Sequence, residues 1–126
     1  MAENKIEQYL IDLTLTFRDL GNNIWYVDDE EHNPEGIAIM FADPLVIFRT
    51  EVMEVPKEGR LELFTKLLEL NANDVIHGAY ALEKDRIVLI DTLEYDGMDY
   101  TEFRATLDAF NLALSQHYSV LSGYRD

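Results

Sequence analysis

Leu61-Glu62-Leu63-Phe64-Thr65-Lys66-Leu67-Leu68-Glu69-Leu70-Asn71 places six large apolar side chains within ten positions. At 100° per residue, Leu61, Leu63, Phe64, Leu67, Leu68 and Leu70 fall within about half of a helical wheel, so the segment from about Glu58 to Leu70 reads as a helix. A helix lying on one sheet needs a stripe only about 100° wide. The excess amounts to two or three side chains, each worth roughly 1.5–3 kcal/mol once buried. Either a second surface covers them, for which a two-fold dimer is the common solution, or the helix is enclosed inside its own domain. The dimer is the more economical reading.

Outward from this helix the chain alternates between strand and turn signals. Pro56 suits the first helical turn, where its missing N–H costs nothing, and Asn71 can end the helix. On the C-terminal side, Val75 to Leu82 and Arg86 to Leu93 read as two strands joined by the short connection Glu83-Lys84-Asp85-Arg86. Asp96-Gly97 then turns the chain into a last helix. Asp99 and Glu102 have capping-box spacing there, and Phe103, Leu107, Phe110, Leu114, Tyr118 and Leu121 form its stripe. On the N-terminal side three strands are expected. Ile24-Trp25-Tyr26-Val27 is aromatic and β-branched, Ile37 to Phe41 is apolar enough for a strand buried on both faces, and Leu45 to Val55 becomes polar at Arg49, Glu51 and Glu54. Before them, Ile6, Tyr9, Leu10, Leu13, Phe17 and Leu20 predict a first helix capped by Gly21. Ile11 and Leu15 lie nearly opposite its stripe. They are either isolated exposed apolar residues or contacts for a partner.

The expected fold is therefore α+β, in the order α-βββ-α-ββ-α. Its short connections favour a mainly antiparallel five-stranded sheet with helices packed on it. A chain of 126 residues with 48% hydrophobic content fits one domain with its own core.

Composition excludes several functions. There is no cysteine, which removes disulfides, thiolate metal sites and cysteine nucleophiles and suits a reducing compartment. Ten Lys and Arg against twenty-five Asp and Glu give a net charge of −15, the wrong sign for nucleic acid or an anionic membrane. The N-terminus lacks the pattern of a secretory signal and no apolar run is long enough to span a bilayer, so a cytoplasmic protein is expected.

Chemistry is sparse. His32 follows an acidic run, Asp28-Asp29-Glu30-Glu31, but a metal site needs converging ligands that a loop does not supply by itself. His77 and His117 read as hydrogen-bonded structural residues. Asp91 to Gly97 resembles a calcium loop until Gly97 is set at its sixth position. Thr92 and Phe103 then stand where carboxylates are required. Phosphate-loop, dinucleotide, nucleophile-elbow and zinc-protease motifs are all missing. No catalytic, cofactor-binding or metal-binding residue is assigned.

Leu67-Leu68-Glu69-Leu70-Asn71, then Gly78-Ala79-Tyr80-Ala81-Leu82, then Arg86-Ile87-Val88-Leu89 and the long last helix resemble the type III secretion chaperones (CesT-like proteins) and the related YbjN-type domains. The resemblance implies one such domain over residues 1–126, with homodimerisation partly through the second helix, for which Leu63, Phe64, Leu67, Leu68 and Leu70 are the interface candidates, and no catalytic residues. It also implies a protein client held partly unfolded against apolar patches, for which Ile11 and Leu15 are candidates. Three functions follow: a homodimeric secretion-chaperone-like protein, a YbjN-like regulatory or accessory domain without a secretion client, and a small-ligand or metal-binding enzyme built on the acidic loop around His32.

Overall fold

The first helix is shorter than its apolar spacing predicts. In the computed structural model, which describes residues 4–29, 33–75 and 77–124, α1 covers only Lys5–Asp12, with the Asn4 side chain accepting from the Ile6 N–H. Thr14 then takes a left-handed φ of 54°, and Thr16–Gly21 forms a strand, β1. Phe17 and Leu20 thus belong to a strand, and Gly21 caps no helix. With Asn22 and Asn23, all at positive φ, Gly21 makes the turn into β2 (Ile24–Asp29). The spacing misleads because Leu13, Leu15 and Phe17 satisfy a period of two as well. The β-branched Thr16 favours strand over helix, and the left-handed turn at Thr14 stops the helix before it.

β1 raises the sheet from the expected five strands to six. The remaining strands are β3 (Asn33–Ala42), β4 (Leu45–Glu54), β5 (Ala79–Glu83) and β6 (Arg86–Glu94). Their spatial order is β1-β2-β3-β4-β6-β5, and every pairing is antiparallel. Two helices complete the order α-ββββ-α-ββ-α: α2 (Arg60–Asn73) and α3 (Tyr100–Ser122).

Pleat alternation sorts the side chains. Trp25, Val27, Ile37, Ile39, Val46, Phe48, Leu89 and Tyr80 point to one face and are buried there beneath the helices. Phe48 meets both Phe103 and Phe110 of α3, at ring-centroid distances of 5.4 and 6.4 Å. The opposite face carries Tyr26, Met40, Ile47, Arg49 and Ile90, none fully buried, so β3 is not enclosed on both sides as its composition predicts. On that face Arg49 Nε donates to Glu83 Oε2 at 3.2 Å across β6, and the underlying Val88 is buried. The aliphatic stem of an arginine can cover an apolar neighbour in this way.

α1 is fastened to the approach to α3. Lys5 Nζ donates to the carbonyls of Tyr95 (2.6 Å) and Met98 (3.2 Å), and Tyr9 packs on Tyr100 and Phe103. α3 itself opens with the predicted capping box: Asp99 Oδ1 accepts from the Glu102 N–H at 2.8 Å, and Glu102 Oε1 from the Asp99 N–H at 3.3 Å. α2 begins later than predicted. Pro56 lies four residues ahead of it, buried, with its carbonyl accepting from Arg60 Nε.

Candidate protein-interaction surface

α2 sits beside β5, an edge strand, and two polar contacts fix the junction. Asn71 does not end the helix. From its last turn it reaches Tyr80, where Oδ1 accepts from the Tyr80 N–H at 2.7 Å and Nδ2 donates to the Tyr80 carbonyl at 3.1 Å. The Tyr80 hydroxyl lies 2.7 Å from Nδ1 of the buried His117 on α3. With the ring proton on Nε2, toward Asp74 Oδ2 at 3.5 Å, Nδ1 accepts from the phenol. Burial pushes the Tyr80 phenol well above its usual range. His117 therefore has the structural, hydrogen-bonded place expected of it. His77 is half-buried in the bend before β5 and makes no hydrogen bond among the described residues.

Above this junction the leucines of α2 divide. Leu63, Leu67 and Leu70 are buried against their own sheet. Phe64 is half-buried, whereas Leu68 is 69% and Leu61 81% exposed. Leu61 and Leu68 stand two turns apart with Phe64 between them, on one outer side of the helix. Phe64, Leu67 and Leu68 form one wall of a groove whose other wall is Tyr80, Ala81 and Leu82 of β5, with Ile87 below. Leu82 is 58% exposed. Covering Leu61, Leu68 and Leu82 would contribute at most roughly 1.5–3 kcal/mol each, which makes this apolar edge a candidate interaction surface.

Of the five leucine and phenylalanine positions singled out on α2, the structure brings Phe64 and Leu68 to the surface and commits the other three to the subunit core. Leu61 and Leu82 are the surface residues missed as interface candidates. The alternation Tyr80-Ala81-Leu82 does place Leu82 on the same face as Tyr80, but its adjacency to α2 depends on the sheet order.

Ile11 is 55% exposed on α1, and Leu15 is half-buried in the loop entering β1. β1 and β5 are opposite edges of the sheet, so these two residues and the α2–β5 groove form separate surfaces. His32, Glu30 and Glu31 of the acidic loop lie outside the described residues, and among those described no three His, Asp or Glu side chains converge as metal ligands would. No described helix is long and apolar enough to cross a membrane.

Comparison with known proteins gives this geometry a setting. None of the curated proteins compared matches the sequence. Among solved structures, YbjN from E. coli, a candidate transcription regulator, superposes with a TM-score of 0.69 at 17% identity, covering 96% of this chain and 94% of that one. A chain of the heterodimeric ExoU–SpcU complex from the type III secretion system of Pseudomonas aeruginosa gives 0.72 at 17%, covering 88% and 93%. The Yersinia pestis type III secretion chaperone SycH, in complex with a fragment of YscM2, gives 0.62 at 15%, covering 86% and 93%. At these identities the likeness is one of fold, a type III secretion chaperone-like fold whose neighbours include chaperones bound to protein partners. The sequence itself goes further: a model of the CesT_Tir_1 family matches residues 1–125, and the chain belongs to that family.

Proposed function

We propose that this chain is a cytoplasmic, non-enzymatic protein-binding module, a single domain over residues 1–126, that forms a homodimer and holds a partly unfolded segment of a client protein. The observation that carries the reading is the apolar edge formed by Leu61, Phe64 and Leu68 of α2 with Leu82 of β5. Two copies related by a two-fold axis would cover each other's exposed leucines, while Leu63, Leu67 and Leu70 support the helix from beneath. The client would lie at the other edge, where Ile11 and Leu15 are the proposed contacts, so dimer formation and client binding would not compete. Membership in the CesT_Tir_1 family and likeness to chaperones solved with their partners support the client half of the proposal.

Light scattering on the purified protein tests the dimer. A mass near twice 14.6 kDa is expected, falling to one subunit for Leu68→Asp combined with Leu82→Asp. A strict monomer in the parent protein would overturn the reading. A second reading, a regulatory or accessory domain without a secretion client, is favoured by the coverage of E. coli YbjN, 96% and 94% of the two chains. Co-purification with an unfolded secretion substrate that Ile11→Asp abolishes would decide for the chaperone. Retention of the dimer with no such substrate would decide for the accessory domain.

A further inference from the structure

A second cavity lies away from the α2–β5 groove, between the inner face of the sheet and α3. It holds about 200 Å³ and is floored by Leu13, Leu15, Val27, Ile37 and Leu107. Gly36 and three polar residues of α3, Arg104, Asp108 and Asn111, also line it. Asn111 keeps its Oδ1 buried without a hydrogen-bond partner. Arg104 and Asp108 stand at i and i+4, the spacing at which opposite charges ordinarily pair. They form no ion pair with each other or with any other described residue; Arg104 only lies over the Tyr100 ring at 5.9 Å. By contrast, Arg18, Arg49 and Arg86 are each paired with a carboxylate.

We infer that this cavity binds a free apolar α-amino acid of about the size of leucine. The guanidinium of Arg104 takes the α-carboxylate in its planar fork. Asp108 and the free Asn111 Oδ1 accept from the α-ammonium, and the five apolar side chains enclose the ligand's own side chain. The size is suitable, since an apolar cavity of about 150 Å³ already holds benzene. Charge selects the zwitterion over either half of it. A lone carboxylate would approach a protein of net charge −15 and leave the buried Asn111 Oδ1 unpaired, and a lone amine would forgo the fork of the solvent-exposed Arg104.

Titration of the ¹⁵N-labelled protein with L-leucine, followed by amide shifts, tests the site. Saturable shifts are expected at Leu15, Ile37, Leu107 and Asn111. 4-Methylpentanoate and isoamylamine, each lacking one charge, should bind at least about tenfold more weakly. Arg104→Gln should weaken leucine binding about tenfold or more while the far-ultraviolet circular dichroism stays unchanged. No saturable shift with leucine, isoleucine or phenylalanine would overturn the proposal. So would equal binding of the two half-charged analogues, or shifts produced by a client peptide and by no free amino acid. The site stands independently of self-association, which the mass measurement reads separately.

Discussion

Asn71 holds Tyr80 by both backbone groups, as a neighbouring strand would, although one residue sits on a helix and the other on an edge strand. In an antiparallel edge strand, alternate residues turn their N–H and C=O groups outward. The amide of Asn71 therefore occupies the outward-facing position at Tyr80 and leaves Leu82 as the next open one. A chain adding to this edge could pair only beyond the asparagine, so in the proposed dimer the contacts of β5 would be carried mainly by side chains.

Asn71→Ala removes both bonds and leaves the Tyr80 amide and carbonyl without their partner. A loss of about 1–3 kcal/mol in urea unfolding is expected, with Asn71→Asp retaining part of it because Oδ1 remains an acceptor. An unchanged midpoint for the alanine variant would mean that water replaces the side chain freely.

Tyr80→Phe tests the phenol in two ways. At neutral pH it should cost about 1 kcal/mol, since His117 Nδ1 loses its partner. The alkaline behaviour follows from the sign of the shift. The folded-state pKa is raised by burial, so Tyr80 contributes fully below its unfolded value of about 10. That contribution is lost as pH rises above it toward the folded value. Stability of the parent should therefore fall above pH ~10 with a slope the variant lacks, at most about 1.4 kcal/mol per pH unit. Identical slopes for the two proteins would contradict this.

Adjacent leucines on α2 should respond oppositely to a charge. Leu67→Asp buries an unpaired carboxylate and should unfold the subunit, costing about 3 kcal/mol or more. Leu68→Asp faces outward, and should leave the subunit's melting within about 1 kcal/mol while weakening self-association. Thermal melts and masses measured on both variants separate the two effects.

Gly78 has a φ of +89°, and a Cβ there would stand 2.7 Å from the backbone oxygen of Ile90. Gly78→Ala should cost about 2 kcal/mol or more, through both left-handed strain and the clash with a neighbour that cannot rotate away. Gly97, with open space around it, serves as the control, and Gly97→Ala should change the melting temperature little.

Sequence patterns served where one period acted alone. The Asp99–Glu102 box of α3 and most of its stripe translate directly into the structure, with Phe103, Leu107, Phe110 and Leu121 buried and Leu114 half-buried; Tyr118 is instead 61% exposed, and His117 takes the buried place beside it. The overloaded wheel of α2 announced that some leucines would be left outside. It could not say that Leu61 and Leu68 were those, since that depends on how the helix rolls against β5. Leu13 to Leu20 misled because helix and strand periods coincide over so few residues. The inner cavity was invisible in the sequence, because Leu13, Leu15 and Ile37 meet Arg104, Asp108 and Asn111 only in the folded chain.

The clasp between Lys5 and the carbonyls of Tyr95 and Met98 joins residues about ninety positions apart, and this sets an order of events during synthesis. At about 5–20 residues per second, the last residue of α1 is added roughly four to seventeen seconds before Tyr95 is made. Throughout that interval Tyr9 has no Tyr100 or Phe103 to pack on, and an eight-residue helix is too short to persist in water. α1 is thus completed only after the start of α3 has been made, and until then its apolar face stays unsheltered.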